Sequence, residues 1–487
     1  MLNNISKIKT NITKASIIKT ILLLLFLYVF IMGVLIFIKP KKISNEYIKS
    51  SSTSSYYSDD IGPDRGILID DPLESGMARL KIIDNAKETL DIAYFSIDSG
   101  ESPNLFFGAL IDAADRGVKV NLLLDGLFHG LKGEFKPIIY AFINHPNMTL
   151  KFYEPFNPLM PWTLNNRMHD KYIIADNNIA IIGGRNIGDK YFAPEWHTKS
   201  ITNDRDIIIF NSKPDDLSSV IFQMTDYFNN IWEHKFSKTV DYKLSKTKQQ
   251  RATKKTQELK EKSMNLKQAN KNLFEKPIDL MEISFPTNKV SFICNPIERF
   301  SKEPWCWYEI TQLMMSAKNS IFVQSPYVVP NRQMTKGFIN PSDFEGIDVA
   351  ILTNSIASSP NFPAYSGYLN HKKAIIKSGV NVFEFQSQDS LHTKSFIIDD
   401  NLLAIGSFNS DPRSTYLSTE SMIVVHSSEA VKKIEEGIMD YIDQSLLVSK
   451  DYTYLENSSV DAIPASFTKR FTIKLLSFIA IFFEYML

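Results

Sequence analysis

Cysteine is nearly absent: Cys294 and Cys306 are the only two in 487 residues. They form no metal-ligand spacing and no disulfide framework. Charge of one sign is also lacking, since 54 Lys and Arg balance 54 Asp and Glu. Proteins that bind polyanions usually carry a net basic surface, so nucleic acid is not an expected partner, although a local basic cleft stays open. With 44% hydrophobic and 22% charged residues the composition is globular, which excludes wholesale disorder and collagen. The length suits about three domains, or one large body built from two halves.

Long apolar runs are scarce, and one is long enough to cross a bilayer. Thr20–Ile38 holds no charge. As a helix it spans roughly 28 Å at about 1.5 Å per residue. It ends in Lys39-Pro40-Lys41-Lys42 rather than at a small-residue cleavage site, so an uncleaved anchor is expected. Lys7, Lys9, Lys14 and Lys19 precede the run and Lys39, Lys41, Lys42 and Lys49 follow it, so charge does not orient it. Near the other end, Lys469, Arg470 and Lys474 lead into Leu475–Phe483, which is too short to span. Two readings stay open there: a helix lying among lipid headgroups, or a terminal helix docked on the body.

These landmarks divide the chain into a tail over 1–19, an anchor over 20–38 and a tether over 39–61 containing Ser50–Ser55. A first lobe follows over 62–235, then a Lys- and Gln-rich solvated helix or linker over 236–285. A second lobe covers 286–458 and a membrane-associating tail 459–487.

The two lobes repeat one another. MHDKYIIADNNIAIIGGRN surrounds His169 and LHTKSFIIDDNLLAIGSFN surrounds His392. The matched pairs are His169/His392, Lys171/Lys394, Asp176/Asp399, Gly183/Gly406 and Asn186/Asn409. Upstream, Ala86–Phe95 echoes Ala317–Tyr327 and Arg116–Asp125 echoes Glu345–Asn354. Helix and strand alternate in each half, which predicts an α/β fold with helices covering a mixed sheet.

After each His-x-Lys a short apolar strand runs to a polar tip, Asp176-Asn177-Asn178 or Asp399-Asp400-Asn401, and a second apolar strand follows. This is a hairpin pattern. Symmetric pairing places residues whose offsets from the His sum to seventeen opposite one another, setting His beside Asn. His and Lys, two apart, share a face. Asp176 and Asp399 then belong at the turns as folding residues, about 20 Å from the chemistry.

Each hairpin's open end thus offers an imidazole, an ammonium and a carboxamide. Two such ends facing each other suit displacement at phosphorus, with no metal or other cofactor expected. One His attacks to form a phospho-histidine, and the other protonates the leaving oxygen and then activates the incoming nucleophile. Lys and Asn stabilise the charge on the phosphoryl oxygens.

These motifs resemble the phospholipase D superfamily, whose signature is a doubled His-x-Lys-x4-Asp followed by Gly-Gly/Ser-x-Asn. Asn166–His169 with Gly183–Asp189, and Ile405–Asn409 with Asp411–Ser414 and Thr419-Glu420, are similar to the bacterial cardiolipin-synthase-like branch. The resemblance implies two pseudo-repeated lobes forming one bilobed body, with His169 as nucleophile and His392 as general acid/base. It assigns Lys171, Lys394, Asn186, Asn409 and Ser407 to the phosphate; Gly184 replaces that serine in the first half. It also implies a carboxylate behind each catalytic His: Glu420 in the second half, and Asp204 in the first, with Asp206 competing.

The activity this implies is a membrane-anchored phosphatidyltransferase, a cardiolipin synthase, in the cell membrane with a single-pass anchor and a peripheral C-terminal tail. Its partners are glycerophospholipids, with phosphatidylglycerol first and phosphatidylethanolamine second. A phospholipase D using water as acceptor remains an alternative, as does a membrane-tethered nuclease or a lipid-binding scaffold without catalysis.

Overall fold

A computed structural model describes residues 14–214, 216–275, 279–339, 341–456 and 459–487. Residues 1–13 of the expected N-terminal tail, 276–278 of the expected linker and 457–458 at the end of the expected second lobe lie outside the described residues.

Two mixed sheets carry the fold. The first has nine strands, with Lys171–Ala175 and Ile179–Gly183 in its middle, between Thr89–Tyr94 and Asp206–Asn211. The second has eight, and Ser395–Ile398 with Leu402–Gly406 occupy the corresponding place between Ser320–Gln324 and Ser421–His426. Both motif hairpins are central strands, which explains their nearly unbroken apolar runs. Facing side chains of the two sheets form one core, with Ile174, Ile182 and Ile207 meeting Ile397, Leu403 and Ile423. Helices pack against the sheets, several of them begun by a local cap. Asp71 accepts from the Glu74 amide at 2.8 Å ahead of Pro72–Asn85, and Ser427 caps Ser428–Asp443.

The hairpin register differs by one from expectation. Tyr172 pairs with Ile182 and Ser395 with Ile405, so facing offsets sum to sixteen. The cause is a three-residue tip in which Asp176, Asn177 and Asp399 take left-handed backbone angles. Ladder pairing stops at Tyr172↔Ile182 in the first hairpin, and His169 is not set directly opposite Asn186. At the tips, Asp176 accepts from the amides of Lys87, Glu88 and Thr89 at 2.7–2.9 Å. Asp399 accepts from Lys318, Asn319 and Ser320 at 2.7–3.2 Å. Each carboxylate thus fastens the start of the adjoining strand.

The N-terminal apolar helix runs over Lys14–Gly33 and turns sharply into Leu35–Phe37. Ser16–Phe37 is long and apolar enough to cross a membrane. The end of this span also packs on the body. Gly33 is buried with its carbonyl accepting from Asn165 Nδ2 at 2.7 Å, and Phe37 enters the second lobe's core beside Trp307.

Helix Lys246–Ala269 lies on the first lobe, burying Ala252 and Leu259. Gly108 is required beneath it, since a Cβ there would stand 2.4 Å from the Leu259 carbonyl oxygen. Near the C-terminus, helix Phe467–Phe483 packs Ile473 and Ala480 inward. Ser366 Oγ donates to the Ile473 carbonyl at 3.1 Å and Asn370 Nδ2 to that of Ser477 at 3.0 Å. Phe467, Phe471, Leu475, Phe478 and Phe482 remain exposed on it. The helix is docked and apolar on its outer side at once.

Candidate active site

Two short parallel pairings between the lobes build the site. Arg167–Met168 pairs with Ser418–Thr419, and Ser390–Leu391 pairs with Thr202–Asn203. The next residue of each strand is an imidazole or a carboxylate. His169 N donates to Thr419 O at 3.1 Å, and His392 N donates to Asn203 O at 2.7 Å. Each motif His is therefore set on the backbone of the opposite lobe.

The carboxylates follow the same crossing. His169 Nδ1 meets the Glu420 carboxylate at 2.9 Å, and His392 Nδ1 meets Asp204 Oδ2 at 2.6 Å. The resemblance implies Glu420 for the second half's His and Asp204 for the first's; the structure exchanges them, because the interlobe strands bring Thr419-Glu420 to His169 and Asn203-Asp204 to His392. Asp206, the competitor for His169, is not at an imidazole. It is fully buried between Arg79 at 2.8 Å and Arg185 at 2.7 Å, with Ser75 also donating to it. Burial pushes its carboxyl up, but the two guanidiniums overcome this and hold it at about 2.

Ser407, implied for the phosphate, is placed beside Glu420. Its Oγ donates to Glu420 Oε2 at 2.5 Å and accepts from Ser421 N at 3.0 Å. Gly184, the counterpart, has no room for a hydroxyl: a Cβ there would lie 2.4 Å from Asp204 Oδ2. The shorter Asp sits directly on the bare glycine, whereas Glu420 is seated by a serine. The Gly/Ser difference is thus matched to the Asp/Glu difference.

With each Nδ1–H donated to a carboxylate, each Nε2 keeps its lone pair. Burial, then the ammoniums of Lys171 and Lys394, hold His169 well below the usual imidazole range. Burial and Lys394 lower His392 to about 3. Both rings are neutral before an anion arrives. Ring packing fixes their planes, Phe95 against His169 at 5.0 Å and Tyr191 against His392 at 6.0 Å between centroids.

Lys171 Nζ donates to the His169 carbonyl at 2.5 Å, and Lys394 Nζ donates to the His392 carbonyl. Lys394 Nζ also lies 2.8 Å from His392 Nδ1. That nitrogen cannot donate to Asp204 and accept from Lys394 together, and we assign its hydrogen to the carboxylate. Burial lowers Lys171 to about 7 and Lys394 to about 8, against the pull of Glu420 and Asp204. Burial pushes Glu420 up to about 7. For Asp204 burial also acts upward, but Lys394 and the His392 hydrogen bond outweigh it and keep the carboxyl below its usual range.

Asn186 Nδ2 donates to the Tyr191 hydroxyl at 3.0 Å, while Asn409 Nδ2 meets Ser414 Oγ at 3.4 Å. The amide oxygens of both are buried without a hydrogen-bond partner among the described residues. An amide can turn either end toward a ligand, so these side chains retain capacity to bind one.

A family model described as "Cardiolipin synthase, PLD-like domain" matches residues 80–232 and 310–440, more than half of the chain. The chain belongs to this family. A Helicobacter pylori protein, called uncharacterized, is 28% identical over 414 residues, covering 78% of this chain and 79% of its own. Cardiolipin synthase C of Escherichia coli is 27% identical over 406 residues, covering 75% and 83%. A crystal structure of phosphatidylserine synthase from Haemophilus influenzae aligns with a TM-score of 0.60 at 15% identity, covering 87% of this chain and 95% of that one. The last shares the fold: two phospholipase D-like repeats of mixed sheet flanked by helices.

Seen as a member of this cardiolipin synthase-like family, the chain carries supporting residues that sequence reading missed. Arg205 ties the lobes together, with Nε on Asp70 Oδ1 and Nη1 on Gln324 Oε1, both at 2.5 Å. Arg167 reaches Asp125 at 2.9 Å, and Asp125 also accepts from Met168 N at 3.0 Å, fixing the strand that delivers His169. An arginine beside a motif histidine was a signal in the sequence; its partner 42 positions earlier was not. Both site carboxylates serve imidazoles, which leaves ammonium and amide groups to receive an anion. Such a set can bind a phosphodiester, attack it and move one proton.

Proposed function

We propose that this chain is a membrane-anchored phosphatidyltransferase that joins two glycerophospholipids, forming cardiolipin or a related diphosphatidyl lipid. One observation supports this most: two imidazoles, each backed at 2.6–2.9 Å by a carboxylate from the other lobe, with the Lys171 and Lys394 amines donating to the carbonyls of the same two histidines. Phosphatidylglycerol binds with its phosphate against Lys171, Lys394, Asn186 and Asn409. The anion offsets the ammonium field, and His392 takes up a proton at Nε2. His169 Nε2 attacks phosphorus, and the P–O bond to glycerol breaks as His392 gives that oxygen its proton. A hydroxyl of the second lipid then loses its proton to His392, and its oxygen attacks phosphorus. The P–N bond breaks, His169 returns to its neutral state, and His392 gives up its proton to solvent as the product leaves.

The apolar helix anchors the body, and the outer stripe from Phe467 to Phe482 lies in the headgroup zone as a peripheral contact. Mass spectrometry of lipids formed by the purified full-length chain in phosphatidylglycerol vesicles, with and without phosphatidylethanolamine, tests the reading. A diphosphatidyl product is expected. Phosphatidic acid alone would make the chain a phospholipase D, with water as the acceptor.

A further inference from the structure

An apolar cavity of about 940 Å³ lies outside the reaction centre, on the face of the second sheet turned away from the first lobe. Val323, Val349, Ile351 and Phe396 line its floor, and Ile375 of helix Phe362–Lys377 closes one side. The space is at the upper end of what ligand cavities hold, roughly 300–1,000 Å³. Nothing in the chemistry described so far uses it.

Its wall is informative. Ser410, which directly follows Asn409, lines the cavity, and its amide donates to Ser325 Oγ at 3.1 Å. The wall thus includes the residue next to a side chain assigned to the phosphate. Arg332, Lys336 and His371 supply polar groups to it. His371 Nε2 stands 3.2 Å from Glu484, at the end of the C-terminal helix. Gln333, beside Arg332, donates to the Ile38 carbonyl at 2.7 Å, where the apolar N-terminal helix leaves its span. Ile339 and Phe344 of the wall pack in the same cluster as Val34, Ile36, Phe483 and Met486. Residues in or next to the cavity wall thus touch both membrane-contacting elements and the segment that carries Asn409.

We propose that this cavity takes one acyl chain of the glycerophospholipid whose phosphate lies between His169 and His392. The inference rests on the lipid-substrate reading and adds where a tail goes. A chain leaving the bilayer for this cavity exchanges one apolar surrounding for another, so little affinity is gained. What is gained is position, because a tail held at Ser410 limits where its phosphate can sit.

Full-length Ile351→Trp and Ile375→Trp variants fill the cavity. For long-chain phosphatidylglycerol in vesicles, kcat/KM is expected to fall about tenfold to hundredfold. Hydrolysis of bis(p-nitrophenyl) phosphate, a phosphodiester without chains, is expected to stay as in the unaltered protein. Lipid turnover unchanged in both variants would overturn the proposal. If both substrates suffer alike, the substitutions have disturbed the fold, and photolabelling of the unaltered protein decides. Phosphatidylglycerol with a mid-chain diazirine is expected to label peptides containing Val349, Ile351 or Ile375; label confined to other peptides overturns the proposal. Failure of the lipid-substrate reading looks different: the chain-free diester is cleaved, no product arises from vesicles, and the photolabel still reports whether the cavity holds a chain.

Discussion

Glu420 belongs to the second lobe and His169 to the first, yet they meet at 2.9 Å across 251 positions of sequence. Asp204 and His392 repeat the relationship in the opposite sense at 2.6 Å. Each imidazole takes its carboxylate from the other lobe, so a single lobe holds no complete half of the site. In the proposed mechanism the crossing puts each carboxylate behind a different chemical step.

Glu420→Gln is expected to slow formation of the phospho-enzyme by about 10²–10⁴, because the ring of the nucleophile loses its fixed tautomer. Asp204→Asn acts through His392 instead. With a p-nitrophenyl phosphodiester, whose leaving group needs no proton, its first step is expected to remain near normal while turnover stalls. Rapid-quench kinetics would show a full burst for Asp204→Asn and none for Glu420→Gln. The opposite pattern would show that the carboxylates serve their own lobes.

The lysines predict a pH profile. Lys171 must be charged to hold phosphate, and burial has brought it down to about 7 from an ordinary value near 10.5. Its competent form is full below that value and is lost as pH rises through it. The profile of kcat/KM, which reports the free enzyme, should fall above about pH 7. Lys171→Arg keeps its charge throughout and should move the falling limb toward Lys394, at about 8. A limb that stays in place with arginine would remove Lys171 from this role.

Much of this was legible in the sequence, and the boundary has a physical cause. The repeated motifs disclosed two hairpins, because strand, turn and strand lie within twenty residues and obey local rules. The register differs by one from the symmetric pairing because residue identity alone does not show that Asp176 and Asn177 adopt left-handed angles. The crossing of carboxylates was not legible, since offsets inside one motif say nothing of a partner 188 or 251 residues away. One trace of it was present: the half with glycine at 184 is the half that contains the shorter acid, Asp204.

That trace yields a test. Gly184→Ser places a Cβ within about 2.4 Å of Asp204 and must displace the carboxylate from His392. Activity is expected to fall by about 10². Ser407→Ala removes one donor from Glu420 and should cost about 1–3 kcal/mol of the stabilisation of that carboxylate, with a milder loss of rate. Equal tolerance of both changes in steady-state assays would contradict the matched geometry.

Asp206 should separate folding from chemistry. Asp206→Asn leaves Arg79 and Arg185 buried without their charge partner, at a cost of about 3–5 kcal/mol. Thermal melting should shift clearly downward, while molecules that remain folded keep the pH profile of the unaltered protein. A changed profile with an unchanged melt would place Asp206 in the catalytic machinery.

The most direct measurement is acid-quench trapping of the phosphorylated protein with a phosphorus-labelled donor, followed by peptide mapping. The account predicts phospho-histidine at His169, abolished by His169→Ala and retained in reduced amount in His392→Ala. Label on His392 alone, or turnover with no trapped phospho-protein, would contradict it.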